Sequence, residues 1–405
     1  MIIILFPYKF TNFFYKKYQI KDLKKEFRNK IEIHDVSRII SKKRNKILGE
    51  KRNKLVSVFS KISDWENYIK KILKKKKNIY VINLISSNSF KSFVIHYLLC
   101  KYKIKVLKLD SPEIYVPIQS YNLYLKLISF FKLLFSNLPR LIFVIRNFFY
   151  NKLLFFLKFD ELYILVSGSK KYLNPSMLKS KKKKLINFHS SDYSNYLINK
   201  KKKSKTKNFV VFLDTKTPAF IGDRQIFNFK INYNTEEWYK DLNIFLYKIE
   251  KEFKSEVIIV PHPTVRDKKN IYYDKKFKVS KDPDASNNLI SRCKFVISIS
   301  ATTAVSYCVI YNKPLTFLYN NQLIKKNPSM YNEIKGLCNI LSSGIININN
   351  NFRKNQINLL VDKKKYLNYQ YNFMTTKKIK KLKNSEILKK LILYRDPDNA
   401  LLKVK

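Results

Sequence analysis

The sequence predicts an α/β protein of two domains, each a parallel sheet built from βαβ units. Three observations carry this. The chain has 405 residues, too many for one ordinary domain and enough for two of roughly 180–200 residues. Apolar runs of strand length alternate with longer stretches of helical period in both halves. A lysine-rich run without apolar period, Lys200 to Lys207, separates the halves and marks the boundary. The domains are accordingly 1–199 and 208–380, with a final helical segment, 381–405, able to pack back on the first.

In the first domain Met1 to Phe6 reads as a buried opening strand. It lacks the basic flank and small-residue cleavage site of a signal peptide. Ser41 to Lys77 is lysine-rich and amphipathic, with Ile47, Leu55, Val58, Phe59 and Ile62 apolar, which predicts a helix. Ile79 to Ile85, Phe90 to Tyr102 and Lys105 to Leu109 then form strand, helix and strand, the last ending at Asp110. The intervening Ser86-Ser87-Asn88-Ser89 suits a helix cap or a substrate contact. From Tyr121 to Phe159 the chain is dense in Leu, Phe and Ile but is interrupted by Lys126, Lys132, Arg140, Arg146, Lys152 and Lys158. That excludes a transmembrane span. It fits core helices with basic outer faces or a helix lying in the headgroup plane of an anionic membrane. Glu161 to Ser167 closes the series as another buried strand.

The second domain opens with the strand Phe209 to Leu213, running into Asp214. Thr235 is the expected N-cap of a helix whose Trp238, Leu242, Phe245, Leu246, Ile249 and Phe253 share one face. The strand Val257 to Val260 follows. Asp282 and Pro283 suit the N-cap and first position of a further helix. The strand Phe295 to Ile299, the helix Thr303 to Tyr311 and the strand Leu315 to Leu318 complete a parallel run. Beyond Asn320 the sequence reads as polar until a last helix, Asn384 to Tyr394.

Residues are 45% hydrophobic and 15% aromatic, and the formal charge is +53. The excess is nearly all Lys, accompanied by abundant Asn, Ile, Phe and Tyr and only five Gly, as an AT-rich coding sequence produces. It is spread along the chain and is not gathered in one patch, so nucleic acid is disfavoured as the partner. A surface this basic nevertheless attracts anions, an anionic bilayer among them. Four cysteines without metal-ligand spacing (Cys100, Cys293, Cys308, Cys338) read as reduced thiols of a cytoplasmic protein.

With so few glycines there is neither a dinucleotide-binding fingerprint nor a phosphate-binding P-loop, which disfavours nicotinamide dehydrogenases and ordinary NTPases. Anion binding must come from helix starts, hydroxyls and cations. Ser300, Thr302 and Thr303 stand where a strand becomes a helix, which suits a phosphate or simply a cap. His262, held between Pro261 and Pro263 at a strand end, can donate to a phosphate and stabilise a leaving group, or serve the structure alone. Arg266 can assist. Asp214 and Asp223 follow the first strand of the domain, where a carboxylate can bind a sugar hydroxyl, act as a base or be solvated. His189 and Asp192 border the hinge.

Residues 185–320 resemble the donor-binding domain of bacterial surface-polysaccharide glycosyltransferases of the GT-B fold, in the group that includes sialyltransferases, Kdo transferases and capsule-synthesis proteins. The resemblance rests on His262-Pro263, on Thr302-Thr303 preceded by Ser300, on Phe212-Leu213-Asp214 and on Lys313-Pro314-Leu315. It implies two Rossmann-like domains facing a cleft, and a donor site of His262, Pro263, Arg266, Ser300, Thr302, Thr303 and Asp214. The implied activity moves a sugar from a nucleotide sugar to a growing glycan or lipid-linked acceptor, at the inner face of the cytoplasmic membrane, with no cofactor and no metal. The sialyltransferase relatives take their base from an acidic pair followed by Gly, which this chain lacks. Asp110 and Glu113 are the nearest substitutes, then Asp35. Teichoic acid polymerases place an Asp shortly after the hydroxyl pair, where Val305, Ser306 and Tyr307 stand here. The alternatives are a basic nucleic-acid-binding protein or a non-catalytic scaffold of polysaccharide synthesis and export.

Overall fold

The computed structural model describes residues 1–28, 30–40, 52–76, 78–86, 89–110, 138–157, 159, 161–169, 184–199, 205–215, 217–218, 232–262, 265, 270–282 and 284–393. It contains two parallel sheets. The first has seven strands in the order β3-β2-β1-β4-β5-β6-β7, and the second has six in the order β10-β9-β8-β11-β12-β13. Both orders are the doubly wound arrangement in which the chain reverses direction between the first and fourth strands, leaving a crevice at that switch point.

The first sheet comprises β1 (Ile2–Phe6), β2 (Ile31–Asp35), β3 (Ser57–Val58), β4 (Tyr80–Asn83), β5 (Lys105–Asp110), β6 (Tyr163–Ser167) and β7 (Lys184–Phe188). Its connections are α1 (Asn12–Lys17), α2 (Ile20–Glu26), α3 (Ser37–Ile40), α4 (Ile62–Lys75), α5 (Phe90–Lys101) and α6 (Leu138–Phe156). Every pairing is parallel, with Ile2 opposite both Ile31 and Tyr80. β1 is apolar on both faces because both are covered: Ile2, Ile4 and Phe6 enter one apolar cluster, Ile3 and Leu5 the other. Ser89 caps α5 by accepting from the Ser92 N–H.

The helix expected over Ser41 to Lys77 is shorter. Val58 belongs to β3, and only α4 is helical, burying Trp65, Ile69 and Ile72; residues 41–51 lie outside the described residues. The chain enters a seventh strand at β7 and the helix α7 (Ser191–Asn199) before the boundary.

The second sheet comprises β8 (Phe209–Asp214), β9 (Glu256–Pro261), β10 (Lys278–Val279), β11 (Val296–Ser298), β12 (Leu315–Tyr319) and β13 (Gly344–Asn347). Its helices are α8 (Thr235–Phe253), α9 (Ala285–Ile290), α10 (Val305–Ile310), α11 (Asn321–Lys326), α12 (Pro328–Leu341) and α13 (Lys363–Phe373), and α14 (Asn384–Leu393) ends the described chain. Two expected caps shift by one or two residues. Asn234, not Thr235, caps α8 by accepting from the Glu237 N–H, and Asp284, not Asp282, holds the cap position of α9. The stretch beyond Asn320 is ordered and partly apolar: α12 buries Met330, Ile334, Leu337, Cys338 and Leu341.

The chain then returns to the first sheet. Ser167 Oγ donates to the Phe373 carbonyl at 3.0 Å, and α14 places Ile387, Leu388, Leu391 and Ile392 in the apolar cluster beneath β1. These crossings, with α7, join two Rossmann-like domains that face a cleft, the GT-B arrangement. Among the described residues no helix is long and apolar enough to cross a membrane.

Candidate functional site

The carboxyl ends of β8, β9 and β11 are laced together at the switch point of the second sheet. The His262 N–H donates to the Asp214 carbonyl at 3.0 Å, tying β9 to β8. The hydroxyls of Thr215 and Ser300 share a hydrogen bond, tying β8 to the turn after β11. Ser298 Oγ donates to the Ser300 carbonyl at 2.9 Å, which tightens that turn. The backbone then passes through Thr302, Thr303 and Ala304 and enters α10 at Val305. The strands therefore hold the loop positions that a ligand would meet, and the apolar sequence Phe295-Val296-Ile297 is fully buried behind this wall.

These ends line a cleft of about 630 Å³ between the domains. The second domain contributes Thr215, His262, Thr302 and Thr303. The first contributes Phe13, Phe14 and Tyr15 with Lys16, Lys17 and Lys21, from α1 and the start of α2. Gln19 fixes the turn between those helices: it adopts a left-handed backbone (φ 52°), donates to Asn195 Oδ1 at 3.1 Å and accepts from Ser194 Oγ at 2.8 Å. A lysine-bearing, aromatic lip thus faces a hydroxyl- and imidazole-bearing wall, an arrangement suited to a planar group carrying phosphates.

The cleft also holds carboxylates. Asp22, Asp192 and Asp284 line it, together with Tyr307. The Tyr307 hydroxyl hydrogen-bonds to Asp192 and Asn195, and burial, with the Asp192 and Asp284 charges nearby, holds it far above the ordinary phenol range. Tyr307 therefore serves as a neutral donor here.

The expected site residues fall into three groups. His262, Thr302 and Thr303 come together in the cleft. Ser300 and Asp214 do not line it. Ser300 is fully buried behind the wall, with its hydroxyl held by Thr215. Asp214 is buried too, and its carboxylate accepts from Thr217 Oγ1 at 2.7 Å. Burial raises its carboxyl to about 6, against the hydrogen bonds from Thr217 and Tyr273. Both stand behind the cleft wall. Pro263, Arg266, Glu113 and Asp223 lie outside the described residues.

Asp110 ends β5 opposite Val166. Asp35 is committed to the fold: it accepts from the Phe10 and Ser37 N–H groups, each at 3.0 Å, and from Arg52 Nε at 2.8 Å. His189 is likewise structural, donating from Nε2 to the Leu382 carbonyl and accepting from Thr375 Oγ1 at Nδ1, each at 2.8 Å.

Sequence reasoning passed over the lip at Phe13 to Asp22 and the pairing of Asp192 with Tyr307. It also overlooked that Asp282-Pro283-Asp284 has the Asp-x-Asp spacing found at metal-assisted sites. Asp282 uses its carboxylate on the Asp284 N–H at 2.9 Å and on Asn288 at 2.8 Å, whereas Asp284 reaches the cleft. Among the described residues no group of three or more His, Cys, Asp or Glu is placed to hold a metal ion.

No protein-family model and no curated protein sequence matches the chain. Among solved structures it is similar to a UDP-N-acetylglucosamine 2-epimerase from Rickettsia bellii, at 10% identity over 98% of this chain and 96% of that one, with a TM-score of 0.44. It is also similar to MurG from Acinetobacter baumannii (8% identity, 97% and 99% covered, TM-score 0.41). A third is the spinosyn forosaminyltransferase SpnP (9% identity, 99% and 95% covered, TM-score 0.41). The fold class itself rests on the strand orders and parallel registers of the two sheets.

Proposed function

We propose that the protein is a glycosyltransferase that moves a sugar from a nucleotide-sugar donor to a growing surface polysaccharide or glycolipid, acting in the cytoplasm. One observation carries the reading: His262, Thr302 and Thr303 meet at the switch point of the second sheet, on a cleft whose far lip bears Lys16, Lys17 and Lys21. That is where a doubly wound sheet binds a nucleotide, and those groups are complementary to a diphosphate or monophosphate that gains charge as it departs.

In the proposed reaction a cleft carboxylate accepts the proton of an acceptor hydroxyl. The hydroxyl oxygen forms a bond to the anomeric carbon as the bond from that carbon to the phosphate oxygen breaks. The nucleotide leaves with the electron pair, and the His262 imidazole, the Thr302 and Thr303 hydroxyls and the lysines offset its charge. Asp22, Asp192 and Asp284 line the cleft and are the carboxylates proposed for the first step.

The test is calorimetric titration of CMP, UDP and GDP into the wild type, His262→Ala and Thr302→Ala/Thr303→Ala, paired with nucleotide release from the matching nucleotide sugars. The expected result is binding of one nucleotide, weakened about ten-fold or more in each folded variant, as loss of a charge-assisted hydrogen bond implies. Equal affinity in folded variants would reject the site. Binding without turnover on any acceptor would favour the scaffold reading.

A further inference from the structure

Helix α6 leaves most of its surface uncovered. Leu154 is buried, Leu141 near the start of the helix is buried too, and Tyr150 stacks on Phe93 of α5 with ring centroids 5.6 Å apart. Elsewhere Ile142, Ile145, Phe148, Phe149, Phe155 and Phe156 are all exposed, the last two at 76% and 74%. At about 100° per residue these six fall within an arc of roughly 140°. A helix of a water-soluble domain turns an arc of that width toward a core, and an exposed apolar surface of this kind marks a binding face.

The charges on the helix select what covers it. Arg140, Arg146 and Lys152 are its charged residues, and no Asp or Glu occurs between 138 and 158. Lys152 projects from the middle of the apolar arc, with Nζ 5.6 Å over the Phe148 ring. A cation there would be stranded in a dry protein interface. In a bilayer its stem lies among acyl chains while the ammonium reaches the headgroups. A second copy of the helix would set like charges against like, with no acid on either helix to pair with them. The alternation of apolar residues with Arg and Lys also prevents crossing, in keeping with the absence of any crossing helix among the described residues.

We propose that α6 docks the protein in the plane of an anionic bilayer, with Phe148, Phe149, Phe155 and Phe156 inserted below the headgroups and Arg146 and Lys152 on lipid phosphates. The inference does not use the transfer reading, since α6 contributes no residue to the cleft.

The experiment is co-sedimentation of the full chain, at physiological salt, with vesicles of phosphatidylcholine alone and of phosphatidylcholine mixed with phosphatidylglycerol. Wild type is expected to sediment with the anionic vesicles only. Phe155→Ser/Phe156→Ser keeps the charge of +53 and, at exposed positions, the fold. It is expected to lose about ten-fold or more in vesicle affinity, as is Arg146→Glu/Lys152→Glu.

Three results would overturn the proposal. Undiminished binding by the Phe variant would mean that overall charge alone attracts the membrane. A dimer in sedimentation velocity that the Phe variant dissolves, with no vesicle binding, would assign the face to a second copy. Emission from Phe148→Trp that is blue-shifted without vesicles and unchanged by them would show the face covered by the chain itself.

Discussion

Thr215 and Ser300, 85 residues apart, join their hydroxyls in one buried hydrogen bond between the ends of β8 and β11. The bond spans the switch point and sets the start of the turn that carries Thr302 and Thr303. Neither hydroxyl reaches bulk solvent, as Ser300 is fully buried and Thr215 is 6% exposed. Ser300→Ala should therefore cost about 1–3 kcal/mol, the penalty for leaving one buried hydroxyl unpaired. Thr215→Val/Ser300→Ala should cost less than the sum of the single changes, because it removes both partners. Denaturant titration of the four proteins checks this, and nucleotide titration should show weaker binding in Ser300→Ala although Ser300 does not line the cleft.

Asp214 makes stability depend on pH in an unusual direction. Its carboxyl is raised to about 6 by burial, from an ordinary 3.8. A raised acid stabilises the fold fully below its unfolded value, and that contribution is lost as pH rises through the folded value. The window is thus about pH 4 to 6, and the shift corresponds to about 3 kcal/mol. His96 and His189, both lowered to about 4 by burial, act oppositely as pH falls. The difference between wild type and Asp214→Asn isolates the aspartate. Relative to the variant, wild type should gain stability on acidification from pH 7 to pH 4, read by thermal melts.

Gly168 follows β6 with φ +76°, and a Cβ there would lie 2.2 Å from the Asn372 carbonyl oxygen. That contact is backbone on backbone, reinforced by the Ser169 N–H donating to the same carbonyl at 3.0 Å. Neither side can yield cheaply. Gly168→Ala should destabilise the protein by about 2 kcal/mol or more and detach the end of α13 from the first sheet. Hydrogen exchange at residues 369–376 should rise more than exchange in β8 or β9.

The legible parts of the sequence were the strands apolar on both faces. Val257 to Val260 and Tyr163 to Val166 read as buried strands, because each is a short apolar run without a polar face, rich in Val and Ile. β2 escaped notice because Glu32, His34 and Asp35 break its apolar run, yet His34 is buried and accepts from Trp65 Nε1 at 3.2 Å while Asp35 binds Arg52. α12 was hidden by Asn, Lys and Ser around an apolar face that only its period reveals. In the site, His262 and the Thr pair stood out against a lysine- and asparagine-rich background. The opposing lip did not, since Lys16, Lys17 and Lys21 look like any other lysines of this chain until the fold turns them into the cleft.

The Asp284 carboxylate at the cleft bears on metal dependence. The proposed transfer uses imidazole, hydroxyl and lysine groups on the leaving phosphate, so turnover should persist after EDTA treatment. A loss restored by added magnesium would instead assign Asp284 to a cation bound jointly with the donor phosphates, as magnesium is commonly held by one or two carboxylates with substrate oxygens. Asp284→Asn measured with and without magnesium distinguishes the two outcomes.

The proposed base is best sought on the acceptor side. Asp192 accepts from Tyr307 and lies in the first turn of the connecting helix α7, and Asp284 begins α9 in the second domain. Asp22, in the first turn of α2, lines the cleft from the lip opposite His262 and Thr302. Of the three carboxylates that line the cleft among the described residues, it is the one that the lip of the first domain contributes. Asp22→Asn should lower kcat by about 100-fold or more, the usual contribution of general base catalysis, with nucleotide affinity unchanged. Asp192→Asn should act through Tyr307, with a smaller loss of kcat accompanied by a rise in KM. If Asp192→Asn abolishes turnover while Asp22→Asn is near wild type, proton removal belongs to α7, and Tyr307 then orients that carboxylate.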